Sequence, residues 1–181
     1  METVLARLLK AASFAADKHS DQRRKNVGAS PYINHPLAVA TCLANEVGVT
    51  DPELLAAALL HDTVEDTDTS LDELTACFGP TVSALVAEVT DDKSLPKARR
   101  KELQIEHAPH KSVQAKQLKI ADKICNIRDL DHDSPVGWEL ARKIQYIDWA
   151  ERVVAGCRGV NPALDQLFDF TVQAARSRLA V

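Results

Sequence analysis

The sequence predicts an all-α domain, and three observations predict it. Apolar residues recur at intervals of three and four, as at Leu5, Leu8, Ala12 and Ala15 and again at Ile120, Ile124 and Ile127. That is the period of a helix with one buried face. Prolines stand where helices begin: Asp51-Pro52, Ser134-Pro135 and Asn161-Pro162 each set an N-cap residue before a proline at the first helical position, where its missing N–H costs nothing. Pro36, Pro80 and Pro96 are read as lying near helix starts too. No segment joins sustained alternation to β-branched enrichment and flanking turn residues, so no sheet is expected.

Taken in order, the first helix carries Leu5 to Ala15 and is followed by a long polar stretch, Ser20–Asn34. Irregular segments of that length inside a compact chain are usually functional or disordered. Leu54–Leu60 is an unbroken apolar run and reads as a buried helix. Ser70-Leu71-Asp72-Glu73 is a capping box, in which Ser70 and Glu73 can satisfy each other's backbone donors. Lys97 stands just inside a further helix, and Leu118–Cys125 reads as a mostly buried one. A late helix carries Trp138, Arg142, Tyr146 and Trp149, with Trp149 expected in the core. The face of Leu164, Phe168 and Val172 is either core or a subunit interface, which leaves the oligomeric state open. The periodicity gives about eight or nine helices. No linker divides residues 1–181, which are read as a single domain.

The composition is that of a globular protein, 45% hydrophobic and 27% charged, with a net charge of −4. An acidic chain without a basic recognition helix is not expected to bind nucleic acid. No apolar run approaches the ~18 residues of a membrane span, and the first residues lack a secretory apolar region. The four cysteines are far apart, without a C-x-x-C pair, which suits reduced thiols in the cytoplasm.

The chemistry is concentrated in His61-Asp62-Thr63-Val64-Glu65-Asp66, directly after the buried run. Buried charges are costly unless paired with one another or with a metal. His35 upstream and Asp122 downstream also stand in apolar-periodic segments. The set His35, His61, Asp62 and Asp122 is that of a divalent-metal phosphohydrolase. Imidazole and carboxylate without thiolate suit Mn2+, Fe2+ or Zn2+, and four protein ligands with open positions favour Mn2+. On a helix His61 aligns with Glu65 and Asp62 with Asp66. Glu65 and Asp66, one turn from two ligands, are the expected acid/base pair. Asp129 reads as facing solvent, and His19, His107, His110 and His132 as exposed histidines in polar stretches.

Arg23-Arg24-Lys25 and Tyr32 put cations and an aromatic close in sequence to His35, a pattern suited to phosphate and to a small anionic ligand. Trp138, Arg142 and Tyr146, four apart, either hold a purine or sugar-phosphate or pack into the core. Lys97 is a further phosphate candidate.

Arg24-Lys25, Pro31-Tyr32-Ile33-Asn34-His35-Pro36, His61-Asp62-Thr63-Val64-Glu65-Asp66-Thr67 and Ala121-Asp122-Lys123 with Asn126 resemble the hydrolase domain of RelA/SpoT proteins. With Val89-Thr90-Asp91-Asp92-Lys93 and Gly137-Trp138, the likeness extends to the stand-alone small alarmone hydrolases of the metazoan SpoT-homologue type. The resemblance implies an all-helical HD-domain fold with Mn2+ on His35, His61, Asp62 and Asp122. It implies hydrolysis of the 3′-pyrophosphate of guanosine tetra- and pentaphosphate, with Glu65 and Asp66 serving the attacking water. Arg24, Lys25, Tyr32 and Asn126 match nucleotide-binding positions of the family, and Lys97, Trp138, Arg142 and Tyr146 match positions of the subgroup. The loop Asn26-Val27-Gly28-Ala29-Ser30 departs from the Ser-Gly-Glu of longer members, which leaves guanine and adenine both open as the base. Two other readings remain: a phosphatase of NADPH or nucleoside monophosphates on the same metal centre, and a non-catalytic alarmone-binding module.

Overall fold

The structure, a computed structural model, describes residues 2–179, with the side chains of Asp131 and His132 outside the description. His132, expected to be exposed, therefore lies outside the described side chains. The described residues form nine helices of eight residues or more and one isolated turn, with no strand among them. They fall into two compact units, Met1–Gln22 with Pro31–Ser94, and Arg23–Ser30 with Leu95–Val181.

The first unit contains α1 (Val4–Lys18), α2 (Asn34–Thr41) running on into a π-helical turn Cys42–Glu46, α3 (Pro52–Leu60), the single turn α4 (Thr63–Asp66), α5 (Leu71–Phe78) and α6 (Pro80–Val89). Its core is built round α3, which is packed by α1, α2 and α6. Asp51 accepts from the Glu53 and Leu54 backbone N–H groups at 3.0 and 3.4 Å, and Pro52 stands at the first helical position as expected. Every residue from Leu54 to Leu60 is buried, and each buried leucine contributes on the order of 2 kcal/mol. Two side chains satisfy carbonyls at the end of α3: Thr63 Oγ1 donates to Leu60 at 2.7 Å, and His61 Nδ1 lies 2.8 Å from the Ala58 carbonyl. The helix therefore breaks at His61–Asp62 instead of continuing to Asp66, and α4 forms a separate turn. Ser70 caps the Glu73 N–H at 3.1 Å, but the return arm of the capping box is replaced by an ion pair of Glu73 with Lys18 at 3.1 Å.

The second unit contains α7 (Lys97–His107), a 3-10 turn Ala108–His110, α8 (Val113–His132), α9 (Leu140–Ala155) and α10 (Pro162–Leu179). α8 packs against α10 and α9 and buries Leu118, Ile120, Ile124 and Ile127. Asn161 caps α10 through Oδ1, 3.1 Å from the Ala163 N–H. Leu164, Phe168 and Val172 are buried, so this face belongs to the core. Gly156 lies so close to the 3-10 turn that a Cβ there would stand 2.8 Å from Ala108 Cβ.

One expected helix start is corrected. Pro135 begins no helix; α9 starts at Leu140. The Ser134 hydroxyl donates to the Leu130 carbonyl and so closes α8 instead of capping a new helix. The Val136 N–H is taken by the Lys25 carbonyl at 2.8 Å. Trp138 thus sits in the turn before α9, not on one helix with Arg142 and Tyr146. No described helix is long and apolar enough to cross a membrane.

Candidate active site

The end of α3 and the start of α2 bring three of the expected ligands together. His35, His61 and Asp62 offer donor atoms that all lie within 4.8 Å of one another. Asp62 Oδ2 is 3.3 Å from His61 Nε2 and 3.8 Å from His35 Nε2. A carbonyl only accepts, so the contact with Ala58 places a proton on His61 Nδ1, and the neutral imidazole, the form that binds a metal, then offers Nε2 as a lone pair. A lone pair facing a carboxylate oxygen at 3.3 Å is a mutual repulsion that a cation between them relieves, and a carbonyl behind a liganding imidazole is the usual support of such a site. The donor set therefore fits a divalent metal.

Beside this cluster α4 carries the two acids. Glu65 accepts from the Asp91 N–H at 3.1 Å. Burial pushes its carboxyl above the ordinary range; the Asp91 N–H opposes this, and the charges of Asp91, Asp62 and Asp66 add to it. Asp66 has both carboxylate oxygens engaged, Oδ1 by Lys93 Nζ and Oδ2 by Tyr32 Oη at 3.1 Å. The same hydroxyl reaches Asp62 Oδ2 at 2.8 Å. Burial, then the charges of Asp62 and Asp66, push the Tyr32 phenol far up, so it remains a donor.

The remaining expected residues lie in the second unit. Asp122 is buried and accepts from Lys123 Nζ at 2.8 Å and Asn126 Nδ2 at 2.6 Å. Arg24 pairs with Asp129, which is therefore an ion-pair partner and not a merely solvated acid. Lys25 is exposed and offers its carbonyl to Val136. Asn26 is buried and spends its amide on the loop: Nδ2 donates to Asp133 and to Ser30 Oγ at 3.0 Å, and Oδ1 accepts from the Ser30 N–H at 3.0 Å. Ala29 closes that loop at φ 43°, in the left-handed region. Arg142 lies 4.2 Å over the Trp138 ring, whose centre is 5.9 Å from that of Tyr146. Burial pushes the Tyr146 phenol up to about 12.

Three features escaped the sequence reading. Lys101, one turn after Lys97 on α7, stands 4.5 Å over the Trp149 ring, and Lys123 stands 4.6 Å over the same ring. Trp149 is only part buried and donates through Nε1 to the Lys101 carbonyl at 3.1 Å. Burial lowers the Lys97 amine, helped by Arg142, Lys25 and Arg100; burial likewise lowers Lys101, helped by Lys97, Lys123 and Arg142. Cations crowded until they repel one another form a ready site for a polyanion, and the Lys97/Lys101 spacing was the available signal. The third is His19, buried where exposure was expected. Its place four residues after buried Ala15, itself four after Ala11, was the sign of a continued inner face.

An all-α fold with paired histidines and an aspartate at the end of a buried helix defines an HD-domain protein, and residues 11–151 match the HD domain. The chain is 55% identical over 166 residues to the guanosine-3′,5′-bis(diphosphate) 3′-pyrophosphohydrolase MESH1 of Homo sapiens, covering 92% of this chain and 93% of that one. It is 49% identical over 164 residues to the MESH1 protein of Drosophila melanogaster, covering 91% and 92%. A solved structure, described as a metazoan orthologue of SpoT that hydrolyses ppGpp and plays a role in starvation responses, superposes with TM-score 0.90 at 47% identity, over 93% of this chain and 95% of that one. The chain belongs to the HD-domain family, in the group of the MESH1 proteins.

Proposed function

We propose that the chain is a metal-dependent guanosine-3′,5′-bis(diphosphate) 3′-pyrophosphohydrolase, acting as a single hydrolase domain. The observation that carries this reading is the His35–His61–Asp62 cluster with Glu65 and Asp66 beside it, in a chain that shares about half its residues with relatives of that name. Water adds to the phosphorus of the 3′-pyrophosphate, the bond to the 3′-oxygen breaks, and pyrophosphate leaves with GDP or GTP as the other product. His35, His61, Asp62 and Asp122 are the proposed ligands of Mn2+, with Fe2+ or Zn2+ as the other candidates. When bound, the ion would acidify a water and neutralise phosphate charge.

The chain's own groups supply the rest. Glu65, with its affinity for a proton raised by burial, takes the proton of the water and returns it to the leaving oxygen. Asp66, held by Lys93 and Tyr32, orients that exchange. Arg24, Lys25, Lys97 and Arg142 hold phosphate oxygens, with Asn126 on the nucleotide and Trp138 and Tyr146 on the base or sugar. Because the Asn26 amide is already committed to its loop, base contact falls to other groups, and adenosine counterparts are included among the substrates. Cys42, Cys77, Cys125 and Cys157 stand as thiols and not as disulfides, which supports a reducing compartment, the cytoplasm.

Product analysis tests this reading. Protein loaded with Mn2+ is incubated with 3′-pyrophosphorylated guanosine and adenosine nucleotides and with NADPH. Pyrophosphate from the first two supports it, and their relative rates give the base preference. Phosphate from NADPH alone would replace it with a monophosphatase, and binding without turnover would make the chain a sensor.

A further inference from the structure

His19 closes α1, 2% exposed, at a helix end where every polar atom needs a place. Its Nδ1 lies 2.7 Å from Gln22 Oε1. Gln22 donates through Nε2 to the backbone carbonyl of Asp66, and a carbonyl cannot donate in return. The amide is thereby oriented, Oε1 faces the imidazole, and the His19 proton sits on Nδ1. Nε2 is left as a buried lone pair with no hydrogen-bond partner among the described atoms. The centre of the same ring lies 4.8 Å from that of Tyr32, the two planes tilted by 34°. On another side Tyr32 meets His35 edge-on at 6.3 Å.

We propose that His19 is a positioning residue for the Asp62–Asp66 carboxylate pair. It holds the Asp66 backbone through Gln22 and the two carboxylates through the ring and hydroxyl of Tyr32. Only an imidazole offers both a flat face for the stack and an Nδ1 donor for the amide. A histidine kept for packing alone would be better as phenylalanine, since a buried nitrogen left without a partner is destabilising. The role in turnover rests on the pyrophosphohydrolase reading above.

The test compares His19→Phe and His19→Asn with the parent protein, both loaded with Mn2+. His19→Phe keeps the ring and loses the donor; His19→Asn keeps the donor and loses the ring. His19→Phe is expected to keep its metal content and KM and to melt no lower than the parent, yet to lose about tenfold or more in kcat. His19→Asn is expected to recover part of that loss. The 13Cζ resonance of Tyr32, in a chain with only two tyrosines, is expected to move in His19→Phe. Retention of kcat within about twofold, or a loss tracked by lower Tm and metal content, would overturn the proposal. Should the parent release no pyrophosphate, the substrate reading fails, and the Tyr32 resonance decides alone: a shift sustains the positioning role and an unmoved signal overturns it.

Discussion

Tyr32 Oη stands between two carboxylates, 2.8 Å from Asp62 Oδ2 and 3.1 Å from Asp66 Oδ2. One hydroxyl has one proton, so it serves the two acids in turn and ties a candidate metal ligand to a candidate proton relay. Removing it leaves two negative groups four residues apart with nothing between them. Tyr32→Phe is therefore expected to lower kcat about 10- to 100-fold, the worth of a hydrogen bond to a charged group. Steady-state pyrophosphate release measures it, and unchanged kcat would remove Tyr32 from the mechanism.

The His61 lone pair is aimed by Ala58, so His61→Ala removes a prealigned ligand and not merely a nitrogen. Metal content by elemental analysis is expected to fall well below that of the parent, with the fold intact by circular dichroism. Chelation should abolish turnover in the parent, and Mn2+ should restore it. Full activity after exhaustive chelation would exclude a metal mechanism.

Glu65 gives a pH signature with a definite sign. Its folded-state pKa is raised, so the folded chain holds the proton more tightly than the unfolded one. The stability it contributes is complete below the ordinary value of 4.5 and is lost as pH rises through the folded value. In chelated protein, Glu65→Gln is expected to melt higher than the parent at neutral pH, with the gap closing towards pH 4.5. A gap that widened in acid would reverse the assignment. The same variant, loaded with Mn2+, is expected to lose most of its turnover.

Lys97 and Lys101 are lowered by burial and by neighbouring cations, a conflict that an anion resolves. Lys101→Ala is expected to raise KM about tenfold with little change in kcat, and to flatten the dependence of KM on salt. An unaltered KM would confine Lys101 to packing on Trp149.

Gly156 tests the packing of the second unit. A methyl group there meets Ala108 Cβ at 2.8 Å and Pro109 Cδ at 2.9 Å, neither of them a flexible chain end. Gly156→Ala is expected to cost about 1–3 kcal/mol in urea unfolding. A neutral substitution would show that the end of α9 yields.

Much of the fold was legible because its signals are local. Asp51-Pro52 and Asn161-Pro162 start helices through contacts reaching only two or three residues ahead. Ser134-Pro135 has the same form, but its hydroxyl turns back to Leu130 and its neighbour binds Lys25, a partner more than a hundred residues away that no window of sequence exposes. The clustering of His35 with His61-Asp62 was expected from buried charge alone. The break after Leu60 was not, because it depends on which carbonyls the side chains of His61 and Thr63 take. Lys101 was passed over since a lysine in a basic helix looks solvated until aromatic rings from another helix appear beneath it. His19 was misplaced because the polar residues after it outweighed the alanines before it.

From Leu54 to Leu60, α3 has no outward side. A rod enclosed on every side can neither roll nor slide without opening a void, and the imidazole at its tip inherits that stillness. The aim of His61 is therefore set by the leucines and alanines behind it as much as by the carbonyl beside it. Thinning that interior is therefore expected to loosen the aim of His61 before it unfolds the chain.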